Sequence, residues 1–248
     1  MTVKNIFDYL NSLFPVSTAC DFDNAGLLIG DGDTEVKKAL ISLDCTLETV
    51  KIAKENGCGL IITHHPVIFS PLKNILKGSI AYELVKSGIA VISMHTNLDM
   101  ADGGVSVWLC KSIGLENIVP LTADDGFILR GGETAPVSAD CFAEKIKNSL
   151  GGFVKYVDGG KKIRKVLVCS GSGGEFVETA INKGFDAFVS AEIKHHQFLT
   201  ASDCNISVFD AGHFNTEDII VEPLCDLLNK NFGDTEFLTH HSECIKFK

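Results

Sequence analysis

The sequence predicts an α/β protein built from parallel βαβ units, and three observations support this class. The chain has 248 residues, 45% of them hydrophobic, which is enough to bury a core in one large domain or two small lobes. Short apolar runs alternate with segments of helical periodicity along most of the chain. Such alternation is typical of parallel strands that are joined by helices.

In the first half, aliphatic residues run without interruption in three segments, as expected of strands buried on both faces. The predicted strands are 38–43, 59–63 and 89–93. Apolar residues recur at helical spacing between and after them. The predicted helices are 47–56, 80–86 and 104–113.

The second half repeats this alternation after the turn Ala123-Asp124-Asp125-Gly126, which is the predicted boundary between lobes 1–124 and 125–248. Its predicted strands are 165–169, 187–189 and 206–209. Its predicted helices are 139–150, 175–183, 195–201 and 216–228. The glycine-rich segment Ser170–Gly174 lacks the lysine of a P-loop, so a strand-to-helix turn is favoured over a phosphate site.

Composition excludes several classes of protein. The formal net charge of -10 argues against a nucleic-acid-binding function, since phosphate attraction favours basic proteins. The basic cluster Lys161–Lys165 is interpreted as a solvated turn. Nine widely spaced cysteines without a C-x-x-C indicate reduced, small apolar residues rather than a disulfide framework. Without a signal peptide or a long uncharged apolar stretch, a cytoplasmic location away from membranes is expected.

The pair His64-His65 follows the predicted strand 59–63 and precedes Pro66, where the strand must stop. The carboxyl ends of parallel strands are where α/β proteins bind ligands. Adjacent side chains on a strand point to opposite faces, but a turn at the strand end lets both rings reach one cleft. The alternative is a half-exposed loop pair.

Two further strand ends carry similar side chains. Asp99 and His95 follow the strand 89–93, at the same predicted sheet edge as His64-His65, although an aspartate there can also be a cap or turn former. His213 and Glu217 follow the strand 206–209 and lie four residues apart at a helix start, so they share one face. The alternative for Glu217 alone is a carboxylate that only interacts favourably with the positive N-terminal end of the helix.

Apart from His95, these strand ends together supply three imidazoles and two carboxylates. The predicted metal ligands are His64, His65, Asp99, His213 and Glu217. Nitrogen and oxygen donors without thiolate suit Zn, Fe, Mn, Co or Ni. Five side chains are too many for one catalytic zinc and suit two ions that share a carboxylate. Two divalent transition-metal ions per chain are therefore expected.

His195 and His196 follow the strand 187–189 and open the next helix. They are the predicted catalytic residues, as proton donors that do not ligate metal, because imidazole exchanges protons at cellular pH. The alternative is a pair of surface histidines.

The chain resembles the dinuclear-metal-centre proteins of the YbgI and NIF-three-like family, often called GTP cyclohydrolase I type 2. The matching segments run in family order over nearly the whole chain. They are Asp23–Gly30, Thr63-His64-His65-Pro66, His95–Asp99, Ala191–His196 and Gly212–Glu217. Phe22 and Ala191 depart from the tryptophan and glycine that are usual in the family, but neither is a ligand position.

The resemblance implies two α/β lobes with the metals in the cleft between them, no domain inserted in mid-chain, and a homo-oligomer in the form of a hexameric ring. It also implies that His65 and Asp99 hold one metal, that His64 and His213 hold the other, and that Glu217 bridges them. The implied activity is hydrolysis by metal-activated water, with GTP or another nucleotide as the small-molecule substrate. The competing interpretation is a non-catalytic metal-binding scaffold, metal chaperone or regulatory interaction protein.

Overall fold

A computed structural model describes residues 1–246 and has a mixed α/β fold, which confirms the predicted class. The strands are β1 Gly26–Ile29, β2 Lys38–Ser42, β3 Leu60–Thr63, β4 Ala90–Ser93, β5 Glu116–Thr122, β6 Ile128–Val137, β7 Lys155–Val157, β8 Ile163–Ser172, β9 Ala187–Ala191, β10 Ser207–Asp210 and β11 Glu236–His240. The α-helices are α1 Val3–Leu13, α2 Leu47–Glu55, α3 Ile80–Ser87, α4 Thr96–Met100, α5 Val105–Ser112, α6 Ala139–Leu150, α7 Val177–Asn182, α8 His195–Asp203, α9 His213–Glu217 and α10 Val221–Asn231. Single 3-10 turns cover Val16–Thr18, Gly174–Phe176 and Asp218–Ile220.

The described residues form two compact units, one of residues 1–98 and 220–246 and the other of residues 99–219. The predicted boundary near residue 124 lies between β5 and β6, which pair with each other from Thr122↔Ile128 onward. Because a hydrogen-bonded hairpin spans that point, the chain passes between the units at residues 98–99 and 219–220 instead.

The first unit contains a five-stranded sheet in the order β1-β4-β3-β2-β11. Strands β11, β2, β3 and β4 are parallel, and β1 runs antiparallel to β4. Leu40, Ile61 and Val91 pack in one core cluster with Val50 of α2 and Leu84 of α3. Because the four strands are parallel, the carboxyl ends of β2, β3 and β4 meet at one sheet edge.

The second unit contains a six-stranded sheet in the order β5-β6-β8-β9-β10-β7. Its central strands β8, β9 and β10 are parallel. Strands β5, β6 and β7 join by antiparallel pairing, so this sheet is mixed. The ends of β8, β9 and β10 again share one edge.

Strand β8 is buried on both faces because its side chains alternate between two cores. Val166 and Val168 pack with Phe142 of α6, whereas Leu167 packs with Phe176 and the cluster on the opposite face. Such double burial explains why β8 reads as a continuous apolar run in the sequence.

Two helices show how far local sequence signals reach. Helix α6 has the predicted bounds 139–150, begins after the N-cap Ser138 and ends at Gly151, whose φ is 79°. The predicted helix 216–228 is instead divided into α9, a 3-10 turn and α10.

Among the helices of residues 1–246, none is long and apolar enough to span a bilayer.

Candidate metal centre

Three histidine rings lie together at the carboxyl edge of the first unit's sheet. His64 and His65 follow β3 directly, and His95 follows β4. The ring centroids are 5.1 Å apart for His64 and His65, 5.2 Å for His64 and His95, and 5.7 Å for His65 and His95. Their ring nitrogens come within 4.8 Å of one another, which is close enough for a shared metal ion.

The backbone turns where β3 ends, and this turn brings the adjacent rings of His64 and His65 together. The Thr63 hydroxyl donates to the His65 carbonyl at 2.8 Å. The His65 amide donates to the Leu43 carbonyl at 3.0 Å, beyond the end of β2. The regular alternation of side chains is therefore broken after Thr63.

Each of the three rings uses its Nδ1 atom for a hydrogen bond to an oxygen. The distances are 2.8 Å from His64 to the Met94 carbonyl, 2.7 Å from His65 to Asp44 Oδ1 and 2.8 Å from His95 to Asp23 Oδ1. Carbonyl and carboxylate oxygens only accept, so each ring must donate its Nδ1 proton. This tautomer places the lone pair of the neutral ring on Nε2, the arrangement that is typical of metal-ligating histidines.

The two aspartates that orient these rings were absent from the predicted site. Asp23 also accepts from the Thr96 amide at 3.0 Å and from the Thr96 hydroxyl at 2.6 Å. Burial acts to raise the pKa of Asp23, but the hydrogen bonds from His95 and Thr96 outweigh it and lower the pKa to about 2. Asp44 follows β2, so its position after a parallel strand could have identified it.

The second unit places two buried carboxylates near the end of β8. Asp99 is 6% exposed and Glu217 is 4% exposed. The Ser170 hydroxyl donates to Asp99 Oδ1 at 2.7 Å. Burial raises the pKa of the Cys169 thiol well above its usual value, and the charges of Asp99 and Glu217 raise it further. Both predicted carboxylate ligands are thus gathered beside residues 169–170.

His213 lies at the start of α9 and contacts two carboxylates. Its Nε2 is 2.9 Å from Glu217 Oε2, one helical turn away. Its Nδ1 donates to Glu192 Oε1 at 2.9 Å. Glu192 follows β9 and adopts a positive φ of 54°, which is uncommon for a residue other than glycine or asparagine. The sequence prediction did not include Glu192, although its place after a parallel strand is the same signal that identified His213.

Gly171 provides the space that Glu217 occupies. A Cβ atom at Gly171 would overlap with the Glu217 carboxylate and would lie 3.3 Å from His213 Nε2. Gly171 also has a φ of 59°, in the region that favours glycine. In the segment Ser170–Gly174, the first three residues end β8, and Gly173-Gly174 lead into the 3-10 turn before α7. Gly171 thus shapes the surroundings of a predicted metal ligand from the last residues of the strand.

The predicted catalytic residues His195 and His196 are exposed in the first turn of α8. The Thr200 hydroxyl donates to the His196 carbonyl at 3.1 Å. Within residues 1–246, neither histidine belongs to a group of side chains that is close enough to hold a metal.

The donor chemistry of the described residues fits a transition metal. Histidine and carboxylate side chains form groups that could hold an ion. Members of these groups are His64, His65, His95, Asp99, His213 and Glu217. Imidazole and carboxylate without thiolate suit Zn, Fe, Mn, Co or Ni, and the Nδ1-protonated tautomers offer Nε2 as the donor. All five predicted ligands therefore belong to metal-competent groups, and His95 joins them.

Comparison with known proteins gives a match over the described chain. The sequence matches the family described as Duf34/NIF3 (NGG1p interacting factor 3) over residues 1–246. A Clostridium acetobutylicum protein named GTP cyclohydrolase 1 type 2 homolog is 31% identical over 229 residues, covering 88% of this chain and 85% of that protein. A Helicobacter pylori protein named GTP cyclohydrolase 1 type 2 is 34% identical over 224 residues, covering 87% of this chain and 86% of that protein.

The fold is similar to a solved structure of comparable length. The crystal structure of a hypothetical protein from Staphylococcus aureus has a TM-score of 0.91 and 29% sequence identity, covering 100% of this chain and 99% of that one. The similarity therefore extends over both units.

Proposed function

Because this chain belongs to the Duf34/NIF3 family, we propose that it is a hydrolase that depends on two divalent transition-metal ions. The side chains that hold the ions in this proposal are His64, His65, Asp99, His213 and Glu217. His65 and Asp99 serve one ion, His64 and His213 serve the other, and Glu217 bridges them. The assignment of ligands to the two ions rests on the family resemblance.

The observation that carries the proposal is the shared hydrogen-bonding pattern of the histidines. His64, His65 and His213 each donate the Nδ1 proton to a carbonyl or carboxylate oxygen. Surface and capping histidines are not expected to share one tautomer. A metal-ligating histidine gains basicity and a fixed ring orientation when its Nδ1 proton is donated to an oxygen.

The substrate in this proposal is a nucleotide, since relatives carry the name GTP cyclohydrolase 1 type 2. When bound, the two cations would lower the pKa of water and polarise the bond under attack. The chain's own contribution is to hold the donors in place and to supply a proton to the leaving atom. We assign that proton transfer to His196, with His195 beside it, because both are exposed to solvent at the carboxyl end of β9.

The test measures metal content and initial rate on the same preparation, with GTP and simple phosphoesters as substrates. We expect two metal equivalents per chain and a His196→Ala variant that keeps both metals but loses about 10²–10⁴-fold in rate. Leu199→Ala, an exposed change on the same helix, is the control and should leave both quantities unchanged. A maximum of one equivalent in excess metal would defeat the dinuclear centre, and an unchanged rate in His196→Ala would remove that residue from the reaction.

The second candidate is a metal-binding interaction protein without turnover. The observation in its favour is the family description, NGG1p interacting factor 3, which names an interaction rather than a reaction. Two bound metals with no hydrolysis of GTP or phosphoesters across Zn, Fe, Mn, Co and Ni would favour this candidate.

Two further parts of the proposal concern assembly and location. The family resemblance suggests a homohexameric ring, which light scattering of the metal-loaded protein would test as six chains per particle. The cytoplasmic location stays a prediction that cell fractionation can check.

A further inference from the structure

Two exposed aromatic rings lie beside the histidine cluster of the first unit. Phe22 is 67% exposed and Phe69 is 51% exposed. Their ring centroids are 6.4 Å apart, and the planes are inclined at 55°. The Phe69 ring is 6.1 Å from the His95 ring in an edge-on arrangement at 87°. A continuous row of rings therefore leads from solvent at Phe22 to the imidazoles.

Polar contacts on both sides hold this row in place. The Asn24 side chain donates to the Ile68 carbonyl at 2.5 Å, which joins the segment after Phe22 to the residue before Phe69. Asp23, next to Phe22, binds the His95 ring and the Thr96 backbone. The chain beside both phenylalanines is thus held by hydrogen bonds, and one of these neighbours, Asp23, also orients His95.

Exposure of two phenylalanines at one place is costly in water, because aromatic rings have a large apolar surface. Isolated exposed apolar residues are ordinary, but a contiguous patch beside polar groups is typical of a binding site. The patch is adjacent to imidazoles that the proposed function assigns to metal binding. A ligand that covers the phenyl rings would therefore extend toward the proposed reaction centre.

We propose that Phe22 and Phe69 form a binding surface for the planar aromatic ring of the substrate, such as a nucleobase. This inference rests on the proposed function and specifies the class of substrate that the same site takes. Stacking on aromatic side chains tolerates every base because each base has a π face, so the surface selects a planar ring rather than one particular base. The sugar and phosphate of a nucleotide would lie on the side of the histidines.

The test uses the full-length, metal-loaded chain and two ligands that differ only in the base, guanosine 5′-monophosphate and ribose 5-phosphate. Calorimetric titration should show the nucleotide binding about tenfold or more tightly than the sugar phosphate. Phe22→Ala and Phe69→Ala should each lose about tenfold in affinity for the nucleotide and keep the affinity for ribose 5-phosphate. Phe22→Trp should retain nucleotide binding, because the larger ring can also stack.

Two variants separate aromatic stacking from general apolar contact. Phe22→Leu keeps an apolar side chain without a π face and should lose affinity as Phe22→Ala does. Leu76→Ala removes an apolar side chain that is 64% exposed in the same unit, and it should bind the nucleotide as the parent does. Thermal unfolding of each variant identifies any that is misfolded, and Phe22→Leu then replaces Phe22→Ala.

Equal affinity of the parent for the nucleotide and the sugar phosphate would overturn the inference. Unchanged nucleotide binding in both phenylalanine variants, or an equal loss in Leu76→Ala, would overturn it as well. A changed particle mass in Phe22→Ala with unchanged nucleotide affinity would assign the patch to protein contact and overturn it. Ring binding that depends on Phe22 and Phe69 in a parent that hydrolyses nothing would support the surface while rejecting the hydrolase. Hydrolysis by a parent protein that binds the nucleotide no more tightly than ribose 5-phosphate would support the hydrolase and reject the aromatic binding surface.

Discussion

Four histidines in this chain use the same ring nitrogen for the same purpose. His64, His65, His95 and His213 each direct Nδ1 to an oxygen, which is a backbone carbonyl for His64 and a carboxylate for the others. The carboxylate partners are Asp44, Asp23 and Glu192. A carboxylate behind an imidazole increases its basicity and fixes the ring, so these partners should control metal affinity without touching the metal.

Asp44→Ala should weaken metal binding about 10–100-fold, because His65 would lose its oriented tautomer. Asp44 is 43% exposed, so the variant should fold normally. Competition with a chelator measures the affinity. Asp8→Ala, which removes an exposed ion pair with Lys4, is the matched control and should bind metal as the parent does. Parent-like affinity in Asp44→Ala would show that the hydrogen bond does not tune the ligand.

Glu192 combines a role in the site with an unfavourable backbone conformation. Among the described residues, the other non-glycine positions with positive φ are Asn117 at 50° and Asn205 at 55°. Asparagine tolerates this region, whereas a longer side chain such as glutamate is destabilised there. The position is kept in this conformation while its carboxylate reaches His213, as expected where backbone strain serves a site.

Glu192→Gly should therefore stabilise the metal-free protein by about 1 kcal/mol and weaken metal binding at the same time. The side chain is 59% exposed, so the lost hydrogen bond should cost little stability. Urea unfolding in the presence of chelator measures the first effect. The control Asn205→Gly should change the free energy of unfolding far less than Glu192→Gly does. Glu192→Ala should weaken metal binding without increasing the stability of the metal-free protein. A destabilised Glu192→Gly would contradict the strain.

At the scale of elements, the sequence predicts the parallel centre of each sheet. Strands β3, β4, β8 and β9 are buried on both faces, so they appear as uninterrupted aliphatic runs with helices between them. The same pattern predicts which residues follow the strands, and hence that His64-His65 and the segment His213–Glu217 lie at sheet edges. These features follow from the pattern of apolar and polar residues within short segments, which the sequence shows directly.

Strands β5 and β6 and the supporting carboxylates are not predicted by the sequence. Strand β5 contains Pro120 and is largely exposed, and β6 contains the pair Gly131-Gly132, so neither shows a strand period. Asp23 acquires its role only through contact with His95, 72 residues away in the sequence. Such pairings depend on tertiary folding, which composition and spacing do not encode.

The carboxylate of Asp186 accepts hydrogen bonds from the backbone at the start of β8. Asp186, just before β9, accepts from the amides of Arg164 and Lys165 at 3.0 Å each, and Lys161 lies 3.4 Å away. Burial acts to raise the pKa of Asp186, but these backbone hydrogen bonds and the charge of Lys161 lower it overall. Of the predicted solvated turn Lys161–Lys165, residues 163–165 are instead the first residues of β8.

Asp186→Asn should destabilise the protein by about 1 kcal/mol at neutral pH. Because folding lowers the pKa of Asp186, its ionised form contributes stability above the unfolded value, and this contribution is lost as the pH falls through the lower folded value. The difference in unfolding free energy between parent and variant should therefore shrink below about pH 4. Urea unfolding of parent and variant, in the presence of a chelator and at pH values on both sides of about 4, measures this difference. Leu199→Ala, an exposed change on α8, is the control for general effects of pH on unfolding.

At the scale of the whole molecule, the proposed ligands are contributed by both units. His64 and His65 belong to the first unit, and Asp99, His213 and Glu217 belong to the second. An ion that binds only the folded ligands stabilises each element that supplies them, by about 2.7 kcal/mol at a free concentration 100 times its Kd. Metal binding should thus be linked to local stability in both units.

Hydrogen exchange with and without chelator tests this linkage. Metal should slow amide exchange up to about 100-fold around residues 64–66, 95–99 and 213–217, because local opening would break ligand bonds. Helix α6, which carries none of the proposed ligands, is the internal control and should change less. Slower exchange at residues 64–66 and 95–99 without any change at residues 213–217 would reject His213 and Glu217 as ligands.

The interrupted course of the first unit has a consequence for synthesis on the ribosome. Its outermost strand, β11, pairs with β2, and the Thr235 hydroxyl donates to the Val36 carbonyl 199 residues earlier in the chain. Residues 99–219 are translated in between, so all strands of the second sheet emerge while the outer edge of β2 has no partner. Unpaired strand edges favour association with other chains. Association with other chains through the outer edge of β2 is therefore expected to be most favoured in the interval before residues 236–240 appear.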